Sequence, residues 1–187
     1  MSKAALIVMT HGVEDMEAVA PIDVLTRCGV EVIIAALEDG PVKAANGNTL
    51  IPHTTVGSVA DNLYDAIIIP GGAKNAHDLA ASEQVVALVR KHHEQGKIVA
   101  SICASPGTVL AEAAGIMDGR RATGDPGFAN KLAMMGAVVS DADVVVDGKI
   151  ITGRGPGAAL AFGLAVAETL VGAKAPNELA ERWRIDR

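Results

Sequence analysis

Four short stretches of the chain are apolar almost without interruption: residues 4–10, 31–36, 66–70 and 97–102. Runs of this length, rich in Val, Ile and Ala and apolar on both faces, predict strands in the middle of a parallel sheet. Between and after them, apolar positions recur with a helical period over roughly residues 14–28, 82–95, 105–114, 158–171 and 177–184. Gly29, Gly96, Gly115 and Gly172 each follow such a stretch, where a left-handed residue closes the last turn. Strand and helix alternating at this spacing predict a doubly wound sheet with right-handed crossovers.

Two segments break the pattern. Residues 41–55 are polar and strand-like and predict an antiparallel excursion. Residues 138–152 predict a hairpin, with 144–146 and 149–152 flanking the turn Asp147-Gly148. No internal repeat, low-complexity tract or linker divides the chain, so one domain is expected over its 187 residues.

Composition narrows the class. Half of the residues are apolar but only 2% are aromatic, so the core is built from aliphatic side chains. Lys and Arg number 16 against 22 Asp and Glu, a net charge of −6, which argues against a general nucleic-acid binder. The first apolar run is too short for a membrane span, and no cleavable signal peptide is read ahead of it. Two cysteines far apart do not make a disulfide framework, and a reducing, cytoplasmic setting is expected.

Three places can carry chemistry. Cys103 follows the strand at 97–102 and precedes a helix that starts near Ser105-Pro106-Gly107. A strand-to-helix elbow pushes its side chain out at the carboxyl edge of the sheet, where open α/β folds bind ligands. The amino end of the following helix is expected to favour a thiolate and lower the cysteine pKa. The alternative is a small buried hydrophobe, and Cys28, beside Gly29, reads that way. The segment Gly12-Val-Glu-Asp-Met-Glu17 places acids at the same edge, where a helix dipole alone would also favour them. Pro21, four residues after Glu17, cannot donate to its carbonyl and is expected to kink or delimit the helix there. Glu17 is therefore the acid of interest, and Glu14 and Asp15 read as solvated turn residues. Pro70-Gly71-Gly72 ends a strand, either as a plain turn or as backbone N–H groups exposed for an oxyanion.

Other features are weaker. Residues 153–157 (Gly-Arg-Gly-Pro-Gly) precede a helix but lack a Walker lysine and the dinucleotide fingerprint. His92 and His93 adjoin Lys91 and Glu94 and read as solvated. No histidine pair has metal-ligand spacing, and Asp141, Asp143 and Asp147 fall in the hairpin, so no metal is expected.

Taken in order, residues 12–17, Pro21-Ile-Asp-Val24, Ile69-Pro-Gly-Gly72, Ser101-Ile-Cys-Ala-Ser-Pro106 and Arg154-Gly-Pro-Gly157 resemble the ThiJ/PfpI superfamily. The likeness is to the branch of the parkinsonism-associated deglycase and the bacterial ThiJ-like proteins, over nearly the whole chain. The resemblance implies an α/β, flavodoxin-like sheet sandwiched by helices, a small β-hairpin, and a homodimer. It implies Cys103 as nucleophile, Glu17 as its protonated partner, and the backbone N–H groups of Gly72 and Ala104 as an oxyanion hole. Asp125 and Pro156 fall where a pocket would be. The implied activity is that of a cofactor-independent glyoxalase (glyoxalase III type) converting methylglyoxal to lactate, or of a deglycase acting on glycated adducts. Stress sensing through oxidation of the same cysteine, and chaperone-like protection, are the alternative. Two departures matter: Ala104 stands where the peptidase branch has a histidine, so a Cys–His dyad is not supported. Asp125 stands where some relatives carry a histidine, and an ionised carboxylate near Cys103 would raise the thiol pKa. Ser105 replaces a family glycine or alanine.

Overall fold

The computed structural model describes residues 2–185. In chain order its strands are β1 (Ala4–Met9), β2 (Glu31–Ala36), β3 (Val42–Lys43), β4 (Thr49–Leu50), β5 (Thr54–Thr55), β6 (Ala66–Ile69), β7 (Ile98–Ile102), β8 (Arg121–Ala122), β9 (Val138–Val139), β10 (Val144–Asp147) and β11 (Ile150–Gly153). The helices are α1 (Asp15–Arg27), α2 (Val56–Val59), α3 (Ala73–Ala81), α4 (Glu83–Glu94), α5 (Ala129–Met134), α6 (Ala159–Val171) and α7 (Lys174–Trp183), with a π-wound helix over Pro106–Ala113. Seven strands form one sheet in the order β10-β11-β7-β6-β1-β2-β5, parallel throughout except for β10. The doubly wound α/β fold expected from the alternation is therefore present.

The unbroken apolar runs are explained by their two covered faces. Ile7 and Met9 of β1 face the same way as Ile68, Ala100, Ile102 and Ile151, against Val24 and Leu25 of α1 and Phe162, Leu164 and Val166 of α6. Leu6 and Val8 face the other way with Ile67, Ile69 and Val99, against Leu88 and Val89 of α4 and Val109 and Leu110 of the π-wound helix. Glycine at 163 lets α6 close on α1, since a Cβ there would lie 3.2 Å from Pro21 Cα and from Val24 Cβ. Pro21 does not end α1, which runs on through it to Arg27.

Other expectations are revised. The 41–55 excursion divides: β3 and β4 form the antiparallel ribbon, whereas β5 joins the main sheet parallel to β2. The hairpin forms at the predicted turn, but β11 also pairs in parallel with β7, so the hairpin is one end of the main sheet. Val138–Val139 leaves the hairpin to pair with β8. Helices α2, α3 and α5 are additions to the predicted set. The one over 73–81 has few large apolar residues and buries Asn75, Ala76 and Leu79. Ser82 ends it and at once caps α4.

His92 corrects the solvated reading. It completes the buried stripe Val85, Leu88, Val89, His92 of α4 and is 0% exposed. Its Nδ1 donates to the Leu88 carbonyl (2.7 Å), so Nε2 is the acceptor for the Tyr64 N–H (3.1 Å). Burial holds its pKa below the ordinary 6.5. A depressed histidine supports the fold above its unfolded value and loses that support as pH falls below it. Chemical denaturation should show stability falling as pH drops below about 6.5. His92→Ala should cost about 2 kcal/mol at pH 8, from the cavity and the stranded Tyr64 N–H, and should flatten that acid slope.

Candidate functional site

The carboxyl ends of the neighbouring strands β1, β6 and β7 deliver the three segments singled out above to one place. Glu17 comes from the first turn of α1, whose cap is Glu14: the Glu14 carboxylate accepts the Glu17 N–H (2.9 Å). Glu14 and Asp15 are therefore more than solvated turn residues. Asp15 accepts the Asn46 N–H (3.0 Å) and a side-chain N–H of Asn48, and Glu14 accepts from the Asn46 side chain (3.3 Å). Together they fasten the loop between β3 and β4 to the mouth of the site.

Cys103 sits at a sharp elbow. Its φ of +67° is one of two positive values at non-glycine residues among the described residues. A β-carbon in that left-handed region costs about 1–2 kcal/mol, so neighbours must impose it. They do so from both sides: the Cys103 N–H donates to the Gly153 carbonyl (2.9 Å), and its carbonyl accepts the Asp125 N–H (2.8 Å). The thiol is half-buried, with the backbone N–H groups of Gly72 and Ala104 and the Glu17 carboxyl close enough to act on its charge. Glu17 is 0% exposed; Oε2 accepts the Gly71 N–H (2.8 Å), and Oε1 has no hydrogen-bond partner.

Asn75 is the residue that sequence reasoning missed, and the contacts of Gly71 and Ser105 go beyond the turn and elbow read for them. A Cβ on Gly71 would overlap Glu17 Oε2 and Cys103 Cβ and lie 2.9 Å from the Ile102 carbonyl oxygen. Only hydrogen fits between acid and thiol. Gly72 has φ +90°, and a Cβ there would overlap the Gly12 carbonyl oxygen and lie 2.8 Å from the Glu14 nitrogen. The Ser105 hydroxyl and the Asn75 amide both donate to the Pro70 carbonyl (2.7 and 2.9 Å), and Asn75 Oδ1 accepts the Thr10 N–H (2.8 Å). These bonds tie the ends of β1, β6 and β7 together. The double glycine was visible in the chain; nothing in it marked Asn75.

Charge in the site is set by burial. Burial pushes the Glu17 carboxyl up to about 7, helped by the charges of Glu14 and Asp125 and opposed by the Cys103 and Gly71 hydrogen bonds. The expectation of a thiol lowered by the helix end is revised. Burial and the Glu17 charge push Cys103 up to about 12, against the pull of the Gly72 and Ala104 N–H groups. Two acids in contact cannot both ionise cheaply. They titrate as a unit that sheds one proton near 7 and the second near 12, so between those values the pair carries one negative charge.

Asp125 and Pro156 are brought together at one side of the elbow. With Asp143, Arg154 and Gly155 they line a cavity of about 380 Å³. The Asp125 carboxylate also accepts the Gly127 N–H (2.8 Å), which closes a tight turn. Cys28 is buried, as read. Among the described residues no group of three or more His, Cys, Asp or Glu could hold a metal ion.

An acid with a raised pKa stabilises the fold below its unfolded value and loses that contribution as pH rises through the folded one. For Glu17 the window runs from 4.5 to about 7, a cost of about 3 kcal/mol once it is ionised. Glu17→Gln keeps an acceptor for Gly71 and removes the charge. Urea titrations should show the variant more stable than wild type by about 2–3 kcal/mol at pH 8, and the gap should close near pH 4.5.

Comparison with known proteins agrees with the fold. The DJ-1/PfpI family pattern matches residues 3–169. The protein dj-1beta of Drosophila melanogaster is 37% identical over 182 residues, covering 97% of this chain and 96% of that protein. The crystal structure of Drosophila DJ-1beta superposes with a TM-score of 0.95 at 36% identity, covering 100% of both chains. A Caenorhabditis elegans protein named glutathione-independent glyoxalase DJR-1.2 is 34% identical over 178 residues, covering 95% of this chain and 94% of that protein. The chain belongs to the DJ-1/PfpI family.

Proposed function

We propose that this protein is a cofactor-independent glyoxalase that converts methylglyoxal and related 2-oxoaldehydes to 2-hydroxy acids. The observation that carries this reading is the Cys103 sulfur held between the Glu17 carboxyl and the N–H groups of Gly72 and Ala104. The nematode relative named as a glutathione-independent glyoxalase supports it. At rest the charge of the singly ionised pair sits on Glu17; as the sulfur attacks, the thiol proton passes across the contact to the Glu17 carboxylate, a transfer favoured by the two backbone donors beside the sulfur.

The thiolate adds to the aldehyde carbon, forming a C–S bond, and the Gly72 and Ala104 N–H groups steady the new alkoxide. Glu17 gives its proton to that oxygen, completing a hemithioacetal. As a carboxylate it then takes the hydrogen from the same carbon, leaving an enediolate, and returns that proton to the neighbouring carbon while the hydroxyl proton passes to the other oxygen. The product is a thioester of the 2-hydroxy acid; water cleaves its C–S bond to give lactate and the thiolate, one of the water's protons returning to Glu17 and the other leaving to solvent. No net oxidation occurs: one carbon is oxidised as its neighbour is reduced. Glycated adducts that release or present the same carbonyl would enter by the same thiol. Ala104 beside the nucleophile leaves a peptidase without a histidine in that position.

Two free cysteines fit a reducing compartment such as the cytoplasm, and no helix among the described residues is long and apolar enough to cross a membrane. We also propose a homodimer joined through the outer face of α1 and α6. Met16, Val19 and Leu160 are 54%, 47% and 38% exposed there, around an apolar hollow of about 390 Å³.

Lactate formation from methylglyoxal should fall at least 1,000-fold in Cys103→Ser and about 100-fold in Glu17→Gln, and in wild type it should rise through pH 7 as the pair sheds its first proton. Turnover that survives in Cys103→Ser would overturn the assignment. Sedimentation equilibrium should give twice the chain mass for wild type and the single mass for Val19→Asp.

A further inference from the structure

We propose that Asp125 is a charge filter beside the thiol site, admitting uncharged 2-oxoaldehydes and turning away anionic ones such as 4,5-dioxopentanoate. The inference rests on the oxoaldehyde reading for the identity of the substrate. The filtering of charge at Cys103 is independent of it.

Three observations converge on this residue. The segment carrying Asp125 is docked on the elbow itself: its N–H donates to the Cys103 carbonyl at 2.8 Å, and a Cβ on Gly124 would lie 3.1 Å from the same oxygen. The carboxylate is held in place because Oδ1 accepts the Gly127 N–H, and the residue is half-buried where solvent screening is incomplete. Its charge reaches the interior of the site, where it disfavours ionisation of Glu17.

The surroundings do not neutralise it. The cavity beside the elbow is lined by Asp125 and a second carboxylate residue, Asp143, against one guanidinium, that of Arg154. Arg154 Nη1 donates to the Asp141 carbonyl at 3.0 Å and lies 3.4 Å from the Asp141 carboxylate, so its charge is shared between Asp141 and the cavity. An incoming anion meets two carboxylates and a thiol–carboxyl pair that already carries one negative charge. A neutral aldehyde meets none of this repulsion. A single fixed charge at this range, partly screened, amounts to about threefold to tenfold in rate.

Asp125→Asn is the informative substitution, since asparagine keeps an oxygen for the Gly127 N–H while losing the charge. The probes are iodoacetamide, which is neutral, and iodoacetate, which is anionic and of nearly equal size. Alkylation at Cys103 is followed by peptide mass at one pH, so that the thiolate fraction divides out of the ratio of the two rates. In wild type, iodoacetamide should outpace iodoacetate by about threefold to tenfold more than it does with N-acetylcysteine. Asp125→Asn should remove most of that excess. In the unsubstituted protein, raising salt from 20 mM to 500 mM should speed iodoacetate selectively, a measurement that needs no variant to fold. An unchanged ratio in Asp125→Asn, or a wild-type ratio indifferent to salt, would overturn the filter.

The substrate arm compares kcat/KM for methylglyoxal and for the anionic 2-oxoaldehyde 4,5-dioxopentanoate. Wild type should favour methylglyoxal, and Asp125→Asn should narrow the gap by the same factor found with the alkylating pair. If neither aldehyde is turned over, the glyoxalase reading fails while the alkylation ratios still decide the filter.

Discussion

Two acids in contact, buried and allowed one negative charge between them, are the interaction on which the site depends. Separately, a carboxyl and a thiol would be unremarkable at neutral pH: one ionised, the other not. Pressed together at the end of a parallel sheet, they exchange identities easily, because moving one proton across the contact changes which atom is charged and leaves the total unaltered. Chemistry that needs a nucleophile and a proton donor in turn is served by such a pair without any imported group. The cost is borne by the fold, since a sheet that buries Glu17 gives up stability whenever that residue ionises.

The scaffold's task is to keep the two side chains touching. Gly71 sets the spacing by having nothing to insert between them. The Pro70 carbonyl, accepting from Asn75 and Ser105, fixes the strand that carries Gly71 against the strand that carries Cys103. Strain at the elbow is contained because both of its peptide groups are engaged, by Gly153 on one side and Asp125 on the other. Each of these contacts is polar, and each lies at a strand end rather than in the aliphatic core. Core packing supplies rigidity; the last few residues of each strand supply position.

Much of this was legible in the chain, for definite reasons. Strands covered on both faces have no alternation to obscure them, so β1, β2, β6 and β7 stood out as plain apolar runs. Cys103, Glu17 and the double glycine were visible because each sits at a boundary between an apolar run and a helical one. Helix α3 was not, because its buried side includes Asn75 and small alanines, and its polar anchor has no periodic signature. His92 escaped through its neighbours: Lys91, His93 and Glu94 are polar, although 85, 88, 89 and 92 trace a buried stripe that was there to be followed. The thiol's electrostatics escaped for another reason. A helix end can be inferred from order along the chain, whereas burial beside a particular carboxyl is a property of the folded contact.

The tether of the Cys103 amide to the Gly153 carbonyl has a temporal consequence. Fifty positions separate donor from acceptor, and the acceptor strand is the returning arm of the terminal hairpin. Contacts so distant along the chain close late in folding. A nascent polypeptide that has emerged only as far as β7 therefore carries an ordinary, unaimed cysteine. The bend that aims its sulfur is clamped only when the molecule's final third is complete.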